Sequence, residues 1–171
     1  MGYSKLGSDV GGYKVLADVT AGGTVTSISS GTIAAMAYIR IIVIAFPTGG
    51  TLNIGIRFNN DSGTNYAERG STNGGADSAA GSLNQVNTKT AIDANPQLTK
   101  GEFINISNQE KLGIMETATR GVAGAGSAPE RKLGTYKWSN TATQITRVDA
   151  VDTGGTGDIA AGSRLIVMGR N

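Results

Sequence analysis

The chain has no cysteine and no histidine. Without cysteine there is no disulfide framework, no thiolate nucleophile and no cysteine-based metal site. Without histidine, Ser-His-Asp and Cys-His arrangements are impossible, and so are zinc sites of the usual imidazole type. Charge is also scarce: Asp, Glu, Lys and Arg make up 16% of the 171 residues, against ~25% in ordinary soluble domains. The net charge is +2, and Lys and Arg are scattered singly, with no run longer than Arg131-Lys132. Nucleic acid calls for a clustered basic stripe with stacking aromatics, so it is not an expected partner. A membrane is not expected either, because the most apolar run, 33–46, is too short to span a bilayer and carries Arg40. The first residues lack an apolar h-region, so no signal peptide is visible, and Leu6 departs from the myristoylation pattern.

What is plentiful is glycine, at 26 residues against 3 prolines, together with serine, threonine and asparagine throughout. That is the composition of many short strands joined by turns. Residues 1–12 hold four glycines and little to bury, and read as an N-terminal arm, either a loose terminus or a segment ordered by a neighbouring subunit. The remainder, 13–171, reads as one domain, long enough to bury a core unaided. Alternation predicts strands near 13–19, 24–29, 37–46, 52–58, 65–69, 83–90, 102–108, 111–116, 136–138, 143–151 and 163–169. Segments 37–46 and 52–58 read as a hairpin around Pro47-Thr48-Gly49-Gly50, and 102–108 with 111–116 as a second. Residues 33–40 could instead open as a helical turn. Segments 70–81 and 119–132 read as loops. With no βαβ alternation, the expected fold is an all-β antiparallel β-sandwich, a single jelly roll preceded by the glycine-rich arm.

Few groups could carry chemistry. Asn59, Asn60, Asp61, Ser62, Gly63 and Asn65 form a polar run between Phe58 and Tyr66. Calcium wants six to eight oxygens and several carboxylates, whereas only Asp61 is ionised, so a hydrogen-bonded structural turn is expected. Asp149, Asp152 and Asp158 flank a glycine turn, and paired carboxylates alone do not make a glycosidase. No Walker or dinucleotide fingerprint is present, and no cofactor is expected. Tyr136 and Trp138, with Tyr66, could present a sugar-binding face; the alternative for Trp138 is a core position. Two glycosylation sequons occur, at Asn60 and Asn105.

Three segments are similar to phage and environmental-virus structural proteins. Arg57-Phe58-Asn59-Asn60-Asp61-Ser62-Gly63-Thr64-Asn65-Tyr66 resembles their RFN-x-D-S/T-G-x-NY stretch after a hydrophobic strand. Lys137-Trp138-Ser139-Asn140-Thr141 with Gln144-Ile145-Thr146-Arg147-Val148 resembles their penultimate strands. The run 161–169, Gly162-Ser163 followed by apolar residues to Gly169, resembles their closing strand. The resemblance implies a virion-associated jelly-roll sandwich present in many copies and without enzymatic activity. It transfers no functional residues. The expected role is a self-assembling structural protein: a capsid decoration or tail component, or the subunit of an extracellular helical filament with exchange of the arm. Its expected partners are copies of itself and a major capsid or tail protein. The alternative is a receptor- or carbohydrate-binding module that meets surface glycans at a virion or fibre tip.

Overall fold

The computed structural model describes residues 12–50, 52–88, 95–154 and 158–171. The arm expected at 1–12 lies outside them except for Gly12. The described residues form twelve strands and no helix: β1 (Lys14–Thr20), β2 (Ser27–Ser29), β3 (Tyr38–Ala45), β4 (Ile54–Phe58), β5 (Tyr66–Thr72), β6 (Ser78–Leu83), β7 (Val86–Asn87), β8 (Gln97–Ile104), β9 (Lys111–Thr119), β10 (Glu130–Trp138), β11 (Val148–Asp152) and β12 (Arg164–Arg170). They make two antiparallel sheets, ordered β1-β12-β3-β8-β9-β10-β5-β6 and β2-β11-β4-β7.

The pairing identifies the topology. β1 pairs with β12, β2 with β11, β3 with β8, and β4 with β7. Each pair is nested inside the previous one, as when a long two-stranded ribbon is wound into a sandwich, so eight strands form a jelly roll. The other four are insertions. β5 and β6 fall between β4 and β7, and β9 and β10 fall between β8 and β11. All four add to the same sheet beyond β8, doubling its width while its partner keeps four strands.

Between the sheets, Ile39, Ile41 and Val43 of β3 and Leu165 and Val167 of β12 meet Ile54, Ile56 and Phe58 of β4, with Val148 and Ala150 of β11 in the same cluster. Alternation puts these apolar side chains on one face of each strand. At one end, the Phe58 ring lies 4.8 Å from Phe103, 5.6 Å from Trp138 and 6.1 Å from Tyr66 between centroids. Phe103 faces Gly113 across the β8–β9 ladder, and a Cβ at Gly113 would collide with its ring.

Three expectations need correction. The segments around β3 and β4 do not form a hairpin: β3 pairs with β12 and β8, whereas β4 pairs with β11 and β7 in the other sheet. A period-2 pattern tells which side chains are buried, and a sandwich arch buries the same ones as a hairpin. Residues 33–37 do not begin a helix; Ile33 is buried in extended chain and its N–H donates to the Thr146 carbonyl at 2.8 Å. The loop expected at 70–81 holds the end of β5 and most of β6, whose sequence SAAGSL has no apolar alternation to announce it. By contrast, β8 and β9 do form an antiparallel hairpin, joined through 105–110.

Candidate functional site

Asn59 and Asn60 carry the chain away from β4 in the left-handed region, with φ of 52° and 59°, a conformation that asparagine tolerates better than most residues. The Asn59 side chain then acts as a clip. Its Oδ1 accepts from the N–H groups of Thr146 at 2.8 Å and Arg147 at 3.0 Å, while its Nδ2 donates to the Gln144 carbonyl at 2.8 Å. Asp61 works in the other direction. Its Oδ1 accepts from the Gly63 N–H at 2.8 Å, and its Oδ2 accepts from Asn65 Nδ2 at 2.9 Å and from the Trp138 indole N–H at 2.7 Å. Burial would raise the Asp61 carboxyl, but the Trp138, Asn65 and Gly63 donors outweigh it and hold the group below the usual aspartate range. Both oxygens are thus directed at protein donors. Among the described residues no group of three or more acidic side chains converges on a metal position.

Tyr66 completes this corner. Its hydroxyl donates to the Asp61 carbonyl at 3.1 Å and accepts the Phe58 N–H at 2.9 Å. The ring stacks on Trp138 with centroids 6.3 Å apart. Tyr66, Tyr136 and Trp138 are 1%, 2% and 0% exposed, so they do not form the sugar-binding face considered from sequence. β10 pairs with β5 in a register that turns all three inward, where their large apolar area is buried against Phe58 and its neighbours. Burial pushes both tyrosine hydroxyls well above their ordinary range.

The acidic residues near the late glycine turn also stay apart in role. Asp149 takes the Arg147 guanidinium at 2.9 and 3.0 Å. Asp152 instead accepts backbone N–H groups of Asn53 at 3.2 Å and Gly154 at 2.9 Å. Another ion pair is largely buried: Lys132 Nζ lies 3.1 Å from Glu68 Oε1 and donates to the Asn87 carbonyl at 3.0 Å, tying β10 to β5 and β7. Lys111 is fully buried with two backbone carbonyl acceptors, on Gln109 and Asn140, and desolvation lowers its pKa.

The insertions hold the least expected feature. Pointing inward, β9 carries Lys111, Gly113, Met115, Thr117 and Thr119, and pointing outward it carries Leu112, Ile114, Glu116 and Ala118. Its neighbour β8 sends Gln97 and Thr99 inward and Leu98 and Ile104 outward. The inward polar groups satisfy one another: Gln97 Nε2 donates to Thr88 Oγ1 at 2.7 Å and to Thr99 Oγ1 at 2.9 Å, and the Thr99 and Thr117 hydroxyls are 2.9 Å apart. The outward apolar groups remain in solvent. Leu112 is 55% exposed, Ile114 58%, Leu98 and Leu133 46%, and Ile104 40%. With Tyr38 and Ile42, all of these but Leu98 line an open groove of about 680 Å³ on the outer face of the wide sheet. Four of the charges on this face are matched, Arg40 with Glu102 and Lys100 with Glu116, while Arg170 packs over the Tyr13 and Tyr38 rings.

No protein-family model matches the chain. No curated protein matches it either. Among solved structures, the chain is similar to Scytalido-glutamic peptidase, in its crystal structure with a peptide based transition state analog. The likeness covers 89% of this chain and 72% of that one, at 8% identity and a TM-score of 0.24. At that score it bears on neither fold nor chemistry.

Sequence reading passed over the outer face because it looks for apolar residues to bury. The signal was present in 111–119, where the two alternating sets are Lys-Gly-Met-Thr-Thr and Leu-Ile-Glu-Ala. Leu112 and Ile114 belong to the set that a period-2 reading turns inward. In the fold, Lys111 and the threonines take that side instead: Lys111 donates to the Gln109 and Asn140 carbonyls, Thr117 pairs with Thr99 of β8, and Thr119 donates to Glu130 of β10.

Proposed function

We propose that this chain is a non-enzymatic structural protein that works by association with copies of itself, in a virion as a capsid decoration or tail component, or in an extracellular filament. The observation that supports this reading is the inverted strand pair β8–β9. It hides hydroxyl and amide groups that could have faced water and leaves Leu98, Ile104, Leu112 and Ile114 outside. Leaving several large apolar side chains together on a surface is costly unless something covers them, and contiguous patches of this kind mark contact surfaces. The low charge of the chain fits the same reading. So does the jelly roll, in which Asp61, Asp149, Asp152, Tyr66, Tyr136 and Trp138 are committed to internal hydrogen bonds and packing.

The test is electron microscopy of the purified chain, with sedimentation velocity over a wide concentration range. Rings, filaments or regular particles, or a mass that rises with concentration, support the reading. A monomer at every concentration, with no particles on the grid, refutes it.

A further inference from the structure

Granting that the chain self-associates, we infer that one contact joins the outer face of the wide sheet to the same face of a second copy, about a twofold axis. The argument begins with area. Five strands (β12, β3, β8, β9 and β10) at ~4.8 Å spacing and about eight residues of ~3.3 Å rise present a face of roughly 600 Å². A pair of such faces exceeds the ~1,000 Å² of total buried surface that separates a specific interface from a casual contact. Spread over the face, the open groove of about 680 Å³ averages about 1 Å in depth. That is the corrugation between rows of side chains, which suits interdigitation with another sheet and not enclosure of a small ligand.

Two observations select the partner. The first is electrostatic. Arg40 is paired with Glu102 and Lys100 with Glu116 within the chain, and Arg170, which also lines the groove, packs its guanidinium over the Tyr13 and Tyr38 rings, so the face offers a partner of opposite sign one cation already engaged by aromatic rings. The second is the lack of a complementary patch elsewhere. The other exposed large apolar residues, Val15, Phe46, Ile106 and Val122, stand on four separate segments: β1, the end of β3, the β8–β9 turn and the β9–β10 connection. A head-to-tail contact needs two different apolar patches, whereas a twofold contact needs one that meets itself. Among the described residues this face is the one that qualifies.

Two variants and two labels test this on the full chain. Ile114→Lys and Leu112→Lys alter half-exposed side chains, so the subunit keeps its fold, as circular dichroism will verify. Each should raise the dissociation constant measured by sedimentation at least ~100-fold, as expected for a charge placed in the middle of an apolar contact. Because the chain has no cysteine, Ile114→Cys and Ser27→Cys each give a single spin-labelling site, the first on the face and the second on β2 of the opposite sheet. Face-to-face pairing predicts a short label-to-label distance for the first and one spanning both sandwiches for the second. Assembly that persists unchanged in both lysine variants, or a shorter distance from the β2 label, overturns the pairing while leaving self-association standing. A wild-type chain that is monomeric throughout overturns both, and gives the face to a different protein or to residues 1–11.

Discussion

Removing the Asp61 carboxylate is the sharpest test of how the jelly roll is joined to its insertions. The group receives the Trp138 indole N–H at 2.7 Å, the Gly63 N–H at 2.8 Å and the Asn65 amide at 2.9 Å. Trp138 is fully buried, so Asp61→Ala strands its N–H without a partner, at a cost of ~1–3 kcal/mol. Loss of the charge-assisted bond to Gly63 loosens the turn and adds ~1 kcal/mol. The total should be about 3 kcal/mol at pH 7, which for a domain of this size lowers the melting temperature by roughly 6–12 °C. The pH dependence has a defined sign. The native carboxyl is held below the usual range, so its contribution is complete above the unfolded value near ~3.9 and disappears as pH falls through the native value. The gap between wild type and Asp61→Asn should therefore narrow below about pH 4. Trp138 is the chain's single tryptophan, so its fluorescence during denaturant unfolding reports on the bond in question. Measurements belong at one fixed protein concentration, since association would add stability. An Asp61→Ala loss under ~0.5 kcal/mol, which is surface-substitution size, would refute the account, as would a gap that stays constant between neutral and acid pH.

Other substitutions probe the interior. Gly113→Ala should cost about 2–3 kcal/mol by chemical denaturation, because the new methyl meets the Phe103 ring and the Glu102 carbonyl. Lys132→Met should cost ~3 kcal/mol by leaving Glu68 buried and unpaired, and adding Glu68→Leu should restore most of it, giving a large coupling in a double-mutant cycle. Lys111→Met should stay within ~1 kcal/mol of wild type at pH 7, as it removes a desolvated charge and frees only two carbonyls, one of them on exposed Gln109. Because burial lowers the Lys111 pKa, wild type should gain stability as pH rises from the native value toward the ordinary lysine range, and Lys111→Met should lack that gain.

Local chemistry was readable wherever a residue type has one strong backbone preference or one strong solvent preference. The polar run after Phe58 could be recognised as a turn because Asn59 and Asn60 accept left-handed φ and Asp61 can bind the N–H two residues on. β3 and β12 could be recognised as near-continuous apolar runs rich in β-branched residues, and β4 because its apolar residues alternate. Pairing was less accessible. Ile54 and Ile56 would be equally buried beside β3 or opposite it, and only the whole set of partners distinguishes these arrangements. β6 was hidden because its mostly small side chains bury almost nothing, and it is held by the β5 ladder. The outer face was hidden for the opposite reason: Leu112 and Ile114 are good core residues by type, displaced outward because the polar set found hydrogen bonds inside.

The nested pairing has a kinetic consequence. β9 meets β10 across a short connection, but Lys14 finds Gly169 only across 155 positions (169 − 14). Contacts at such separation form late, since the loop must close before anything rewards it. A nascent chain can therefore assemble the β8–β9–β10 meander while β1 and β3 still lack the strand that sits between them. That strand is β12, synthesised after the other eleven, and its arrival completes the sheet. Deleting residues 164–171 should leave the meander collapsed but prevent native packing, read as a loss of cooperative unfolding. A truncated chain that still unfolds in one sharp transition would show that closure by the final strand is not what completes the fold.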